Sequence, residues 1–199
     1  MSNRLILASG SPRRKELLEK AGLGFQIVVP DVDEAPQQGE IPKKMVGRLS
    51  RAKAIAAREE LRNQRSDALT ADLWFLSADT TVVSAAGKNL GKPRDRTEAR
   101  RMLRALQGKV HRVFTGYTLL FGNKVHTRVV ETRVYMRKLS DVEIDTYIAT
   151  GESMDKAGAY AAQGFGMILI EKIIGSYTNV VGLPIAEVLK DLKKLGFKP

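Results

Sequence analysis

The segment Leu5-Ile6-Leu7-Ala8-Ser9-Gly10-Ser11-Pro12 places the tightest constraint on how this chain can fold. Four consecutive apolar residues, Leu5 to Ala8, read as a short strand. They run straight into three small residues and a proline, and proline suits the first turn of a helix because its missing N–H would have no intrahelical partner there. A strand that breaks into a tight loop and passes at once into a helix opens an α/β architecture. In that opening Ser11 is placed to cap the helix, Leu17, Leu18 and Ala21 form its apolar positions, and Gly22 closes it.

The alternation continues along the chain. Phe25 to Val29 reads as a second strand stopped by Pro30, followed by an acidic turn (Asp31, Asp33, Glu34) and a loop rich in Pro, Gln and Gly. Pro42 starts a helix in which Met45, Leu49, Ala52 and Ala56 recur at helical spacing to about Arg62. A polar loop, Asn63 to Asp72, leads to a strand at Leu73 to Leu76, which delivers Ser77-Ala78-Asp79-Thr80 at its end or just beyond. The turn Gly91-Lys92-Pro93 precedes a helix from about Thr97 with Met102, Leu103 and Leu106 inward. Strands at His111 to Phe121 and Lys124 to Arg137 flank Gly122-Asn123 as a hairpin. Ser140 and Glu143 form a capping box for a helix ending near Gly151. A glycine-rich segment, a strand at Met167 to Glu171 and a helix from Pro184 to about Leu195 follow. The pattern predicts an α/β fold with a mixed sheet and flanking helices.

Composition narrows the chemistry. None of the 199 residues is a cysteine, which excludes disulfides, thiolate nucleophiles and cysteine-bound zinc. His111 and His126 are not at a helical ligand spacing, and the chain lacks the P-loop and nucleophile-elbow patterns. The N-terminal apolar run is too short for a signal peptide and no stretch is long enough to span a membrane, so the expected compartment is the cytoplasm. The net charge of +11 draws polyanions, either a nucleic acid or a compact triphosphate. Few aromatics accompany the basic residues, so a stacking platform for single strands is not evident, and nucleic acid is the less favoured partner.

Candidate residues follow from these patterns. Arg13 and Arg14 lie in the first turn of a helix, where the unpaired N–H groups already disfavour cations. Either an anion docks there on backbone donors and guanidinium forks together, or the arginines are solvated or paired with Glu16. Asp79 after an apolar strand reads as a cleft carboxylate or as a turn aspartate bonded to backbone. The acidic turn reads as a metal-binding cluster or as a solvated loop, and Lys53 and Lys92 as phosphate contacts or solvated lysines. In Ala157 to Gly164, AGAYAAQG, small residues allow a ligand to approach the backbone, and Gln163 carries one donor and one acceptor for a base edge; ordinary turns have the same composition. Metal-assisted attack of water on phosphorus is the chemistry left.

Six segments together resemble the Maf family of nucleotide pyrophosphatases: LASGSPRR, SADTTVV at Ser77 to Val83, GKP at Gly91 to Pro93, LQGKVHRVFTG, AGAYAAQG and NVVGLP. The resemblance runs over nearly the whole chain in the family's order. It implies a single Maf/Ham1-like domain over 1–199, with an elongated mixed sheet and two lobes around a central cleft. It further implies hydrolysis of a nucleoside triphosphate between the α- and β-phosphates, dependence on Mg²⁺ (or Mn²⁺ or Co²⁺ in its place), and a homodimer. Asp79 matches the family's proton acceptor, with Glu34 beside it as a metal ligand. Ser9, Arg13, Arg14, Lys53 and Lys92 match phosphate-binding positions, and Arg13, Thr80 and Gln163 match positions tied to substrate choice.

Pro12-Arg13-Arg14, Asp79-Thr80 and Gln163 resemble the branch acting on dTTP and UTP, with CTP or modified pyrimidines as further substrates. The branch acting on 7-methylguanosine triphosphate carries Gln after the Asp and Glu in place of Gln163. The chemistry agrees, because a neutral amide matches the adjacent acceptor and donor of uracil or thymine, whereas a carboxylate suits the adjacent donors of guanine. Met154-Asp155-Lys156 departs from the usual lead-in to AGAY and adds Lys156 as a phosphate contact to be weighed. The remaining alternatives are a pyrophosphatase for a non-standard nucleotide, and a nucleic-acid-binding or septum-formation regulator without catalysis.

Overall fold

A computed structural model describes residues 4–64 and 72–198. Seven strands form one mixed sheet in the order β2-β1-β3-β5-β6-β7, with β4 paired to β3. They are β1 (Arg4–Ala8), β2 (Phe25–Val28), β3 (Leu73–Val83), β4 (Asn89–Leu90), β5 (Val110–Phe121), β6 (Lys124–Met136) and β7 (Ile170–Ile174). The flanking helices are α1 (Pro12–Lys20), α2 (Pro42–Gln64), α3 (Arg96–Leu106), α4 (Asp141–Ala149), α5 (Tyr177–Val181) and α6 (Ile185–Leu195). β1 runs parallel to β2 and β3, while β4 is antiparallel to β3 and β7 to β6, so the mixed α/β sheet expected from the alternation is present. No helix among the described residues is long and apolar enough to cross a membrane.

The chain divides into two compact units. The first comprises the residues up to Asp79, Thr115–Val130 and the residues from Gly182 on. Its core sets Ala54, Ala57 and Leu61 of α2 against Ile6 and Ala8 of β1 and Leu73 and Phe75 of β3. Two devices bring α2 close to the sheet. Alanines supply two of its inward positions, and β5 offers Gly116, where a Cβ would sit 2.3 Å from the carbonyl oxygen of Val46. A run of hydroxyls then fixes the register: Thr127 and Thr118 are 2.9 Å apart, Thr118 and Ser50 are 3.0 Å apart, and Ser77 donates to the Ser50 carbonyl at 2.5 Å.

The second unit comprises Thr80–Phe114 and Glu131–Val181. Here Met102, Leu103 and Leu106 of α3 and Ile144, Tyr147 and Ile148 of α4 share a core with Val82, Val113, Val134 and Met136. The expected capping box of α4 is present, Ser140 accepting from the Glu143 N–H and Glu143 accepting from the Ser140 N–H. α3 is capped by Asp95, which accepts from the Glu98 N–H at 2.7 Å.

Several boundaries differ from the expectation, each for a physical reason. β3 continues through Asp79 to Val83 instead of stopping near Leu76, because Thr80 to Val83 are strong strand formers and a cation meets the carboxylate in mid-strand. β7 begins at Ile170 and not at Met167, since Gly164–Leu169 winds as a 3₁₀ turn. β4 and α5, of two and five residues, are too short to carry a periodic signal. Of the expected loop Asn63 to Asp72, Asn63 and Gln64 end α2, and 65–71 lie outside the described residues.

The close approach at Gly116 makes a test. Gly116→Ala must displace the backbone of α2, so we expect a loss of about 2 kcal/mol or more in denaturant unfolding. Gly24→Ala, where a Cβ would meet nothing within 4 Å, should leave stability unchanged or slightly raised.

Candidate active site

In the first unit an apolar strand, a short loop and a helix start place Ser9, Arg13 and Arg14 together. β1 is buried from Leu5 to Ala8, and the loop Ser9-Gly10-Ser11 turns the chain into α1. Ser11 takes the N-cap position but makes no side-chain cap bond; its N–H is instead given to Ser9 Oγ at 3.3 Å. The expected hydroxyl cap is therefore absent. Arg14 explains why the hydroxyl next to it is recruited: its Nη1 donates to Ser9 Oγ at 2.9 Å, while its Nε donates to the Gly182 carbonyl at 2.9 Å. Ser9 Oγ thus accepts from two donors. Its own proton remains to be donated.

The pairing of the arginines with Glu16 is not seen, because Glu16 pairs with Lys20 one turn on at 2.6 Å. Burial lowers the Arg14 pKa below its ordinary value, Asp79 and Glu34 pull it back up, and the neighbouring charge of Arg13 pushes it down. Arg14 therefore senses Arg13, Glu34 and Asp79 at once. Even so lowered, a guanidinium remains charged at neutral pH.

Lys53 joins the acidic residues. Its Nζ donates to Asp79 Oδ1 at 2.7 Å and lies 2.9 Å from Glu34 Oε1. Lys53 and Asp79 are 9% and 8% exposed, so each charge is largely desolvated and needs the other. Local sequence sets this meeting. Asp79 shares a face of β3 with Ser77, two residues before it, and Lys53 lies one turn beyond Ser50 on α2. The Ser77–Ser50 hydrogen bond therefore docks the helix in the register that brings ammonium and carboxylate together. Among the described residues, Asp79 Oδ2 makes no hydrogen bond.

The acidic turn divides into separate tasks. Asp33 accepts from the Ala35 N–H at 2.9 Å and shapes the turn, while Glu34 reaches Lys53. Two residues that the sequence reading passed over fix this loop on α2. Arg48 donates to Glu40 through Nε and Nη2, each at 2.7 Å, and to the Ala35 carbonyl at 3.1 Å. The fork holds the Glu40 carboxyl down at about 2. A Glu and an Arg eight residues apart across a helix start carry no periodic signal, so only the fold pairs them.

In the second unit Thr80 follows Asp79 in β3 and is half-buried, Lys92 is exposed in the turn before Pro93, and Gln163 is half-buried. Tyr160, the other polar feature of AGAYAAQG, turns inward, with its hydroxyl 2.7 Å from His111 Nε2. Lys156 is held locally, donating to the Glu152 carbonyl at 2.8 Å and to Asp155 at 2.5 Å.

Among the described residues no three His, Asp or Glu side chains gather to hold a metal alone. Glu34 and Asp79 nevertheless converge on one cation. Two hard oxygen donors suit Mg²⁺, which keeps its remaining positions for water and substrate phosphates. The donor set fits an ion shared with substrate.

The Maf-like protein family model matches residues 4–195. A dTTP/UTP pyrophosphatase of Geobacter sulfurreducens is 47% identical over 195 residues, with 97% of each chain covered. One from Shewanella sp. (strain MR-7) is 45% identical over 199 residues, covering 98% of this chain and 99% of its own. One from Alkaliphilus metalliredigens is 46% identical, covering 96% and 95%. Among solved structures, the Ham1 protein of Staphylococcus aureus matches with a TM-score of 0.43 and 13% identity, over 84% of this chain and 79% of its own.

The desolvated pair gives a direct test. Lys53→Met leaves Asp79 buried without its cation and should cost about 3 kcal/mol in urea unfolding. In the double variant Lys53→Met/Asp79→Asn the loss should be well below the sum of the two single losses, as coupled partners require.

Proposed function

The chain belongs to the Maf family, and from that membership we propose that it hydrolyses dTTP and UTP, and with them CTP or modified pyrimidine triphosphates, to the monophosphate and pyrophosphate. Relatives named dTTP/UTP pyrophosphatase at 45–47% identity, matched over nearly their full length, support the substrate class. The observation that carries the chemistry is the buried contact of Lys53 with Asp79, beside Glu34 and the Ser9–Arg14 loop.

In this mechanism Arg13, Arg14 and Lys53 bind the phosphates, the Ser9 hydroxyl donates to a phosphate oxygen, and Lys92 contributes a further positive charge. Asp79 accepts a proton from water through its unbonded oxygen, and the water oxygen attacks the α-phosphorus. The bond from that phosphorus to the bridging oxygen of the β-phosphate breaks, and pyrophosphate leaves with the electron pair. Lys53 holds the Asp79 carboxylate in orientation, as fixed charges do in sites that work by electrostatic positioning. Glu34 and Asp79 would hold a divalent ion, Mg²⁺ or in its place Mn²⁺ or Co²⁺, which when bound neutralises phosphate charge. Arg13, Thr80 and Gln163 set the choice of base and sugar. We place the reaction in the cytoplasm, carried out by a homodimer.

Asp79→Asn tests the assignment of the base. The variant should lose some stability, as removal of one partner of a buried pair requires, yet stay folded at the assay temperature by circular dichroism, while kcat on dTTP falls by about a hundred- to ten-thousandfold. Turnover of dTTP at the parent rate would remove Asp79 from this role.

A further inference from the structure

The 3₁₀ turn after Gln163 is tied down in a way the reaction does not call for. Glu152, just beyond α4, turns its carboxylate onto two successive backbone amides: Oε1 accepts from Phe165 N–H at 3.0 Å and Oε2 from Gly166 N–H at 3.1 Å. The contact is so close that a Cβ on Gly164, whose φ is +61°, would lie 2.3 Å from Glu152 Oε1. Gly166 in turn packs under Ala161, where a Cβ would come within 2.2 Å of the Ala161 carbonyl oxygen. The loop 161–166 therefore closes on itself, with Gln163 near its middle.

The other leg is gripped as firmly. Ala161 N–H donates to the Tyr147 hydroxyl at 3.0 Å, and the Tyr177 hydroxyl donates to the Ala162 carbonyl at 3.2 Å. Tyr160 is anchored on His111, which burial pushes down to about 4 and so keeps neutral at physiological pH. Glu152 is itself fixed, since Lys156 Nζ donates to its carbonyl. In contrast, the Gln163 side chain makes no hydrogen bond among the described residues. The backbone on both sides is held, and the one amide between is left open.

We infer that Glu152 is a positioning residue for base selection, holding the backbone directly beyond Gln163 so that its amide is presented at one place. This rests on the proposed base-reading role of Gln163. If the loop moves, the amide of Gln163 carries its donor and acceptor out of line with the base edge. Discrimination therefore requires the loop to be held, and a carboxylate accepting two N–H groups does so more strongly than a neutral acceptor.

The test compares kcat/KM for dTTP and dGTP in the parent, Glu152→Gln, Glu152→Ala, Gln163→Ala and Glu152→Ala/Gln163→Ala. The preference for dTTP should fall roughly five- to twentyfold in Glu152→Ala, through dTTP alone, as expected when a hydrogen-bonding site loses its alignment. Glu152→Gln keeps the shape and one acceptor and should fall between Glu152→Ala and the parent. Its amides at 161–169 should exchange hydrogen faster than the parent's while its melting temperature stays close, which keeps the inference testable if Glu152→Ala folds poorly. The double variant should show no loss of preference beyond Gln163→Ala. Equal losses on both nucleotides in Glu152→Gln, or additive losses in the double variant, overturn the positioning role while Gln163 keeps its own. An unchanged preference in Gln163→Ala overturns the base-reading role and this inference with it.

Discussion

An ammonium group held against a carboxylate out of water organises the first unit. Lys53 and Asp79 are each too desolvated to stand alone, so the helix carrying one and the strand carrying the other must dock in a single register. Much of the surrounding sequence serves that docking. Gly116 removes the side chain that would hold α2 off the sheet, Ala54 and Ala57 keep the helix close, and the hydroxyls of Ser77, Ser50, Thr118 and Thr127 set its position along its axis. The loop bearing Glu34 is then fastened to the same helix by Arg48 and Glu40. A carboxylate with one oxygen committed and the other open is what remains. On the proposed reading, that open oxygen is the base.

The arginines of α1 make sense on similar grounds. The first turn of α1 has no acidic residue and no side-chain cap, and Arg13 and Arg14 add positive charge to its positive end. Arg14 donates to a backbone carbonyl and to a hydroxyl. Elsewhere on the surface arginines are paired with carboxylates, as in Arg104–Asp141 and Arg137–Glu143.

Strongly patterned elements were legible in the sequence: β1 into α1, the Gly122-Asn123 hairpin, the Ser140–Glu143 capping box and α6. The length of β3 was not, because an aspartate normally ends a strand pattern and only a tertiary partner, Lys53, makes it tolerable in the middle. Ser9, Arg14, Glu34, Lys53 and Asp79 lie in one unit, but their wiring was hidden in the sequence. Nothing local marks Ser9 as the acceptor for Arg14, or Glu40 as the partner of Arg48. Tyr160, the polar residue beside Gln163 in AGAYAAQG, has its ring buried against His111. Glu152 passed unremarked because a lone glutamate after a helix looks solvated until the backbone it caps is placed.

Attack of water on the α-phosphorus is the step to which the proposed Asp79, Arg14 and Lys53 roles all lead. Hydrolysis of dTTP in ¹⁸O-enriched water, with both products weighed by mass spectrometry, follows the oxygen directly. One heavy oxygen in thymidine monophosphate and none in pyrophosphate is the expected pattern. Label in the pyrophosphate, or release of orthophosphate in its place, would mean that the carboxylate of Asp79 does not direct water to the innermost phosphorus.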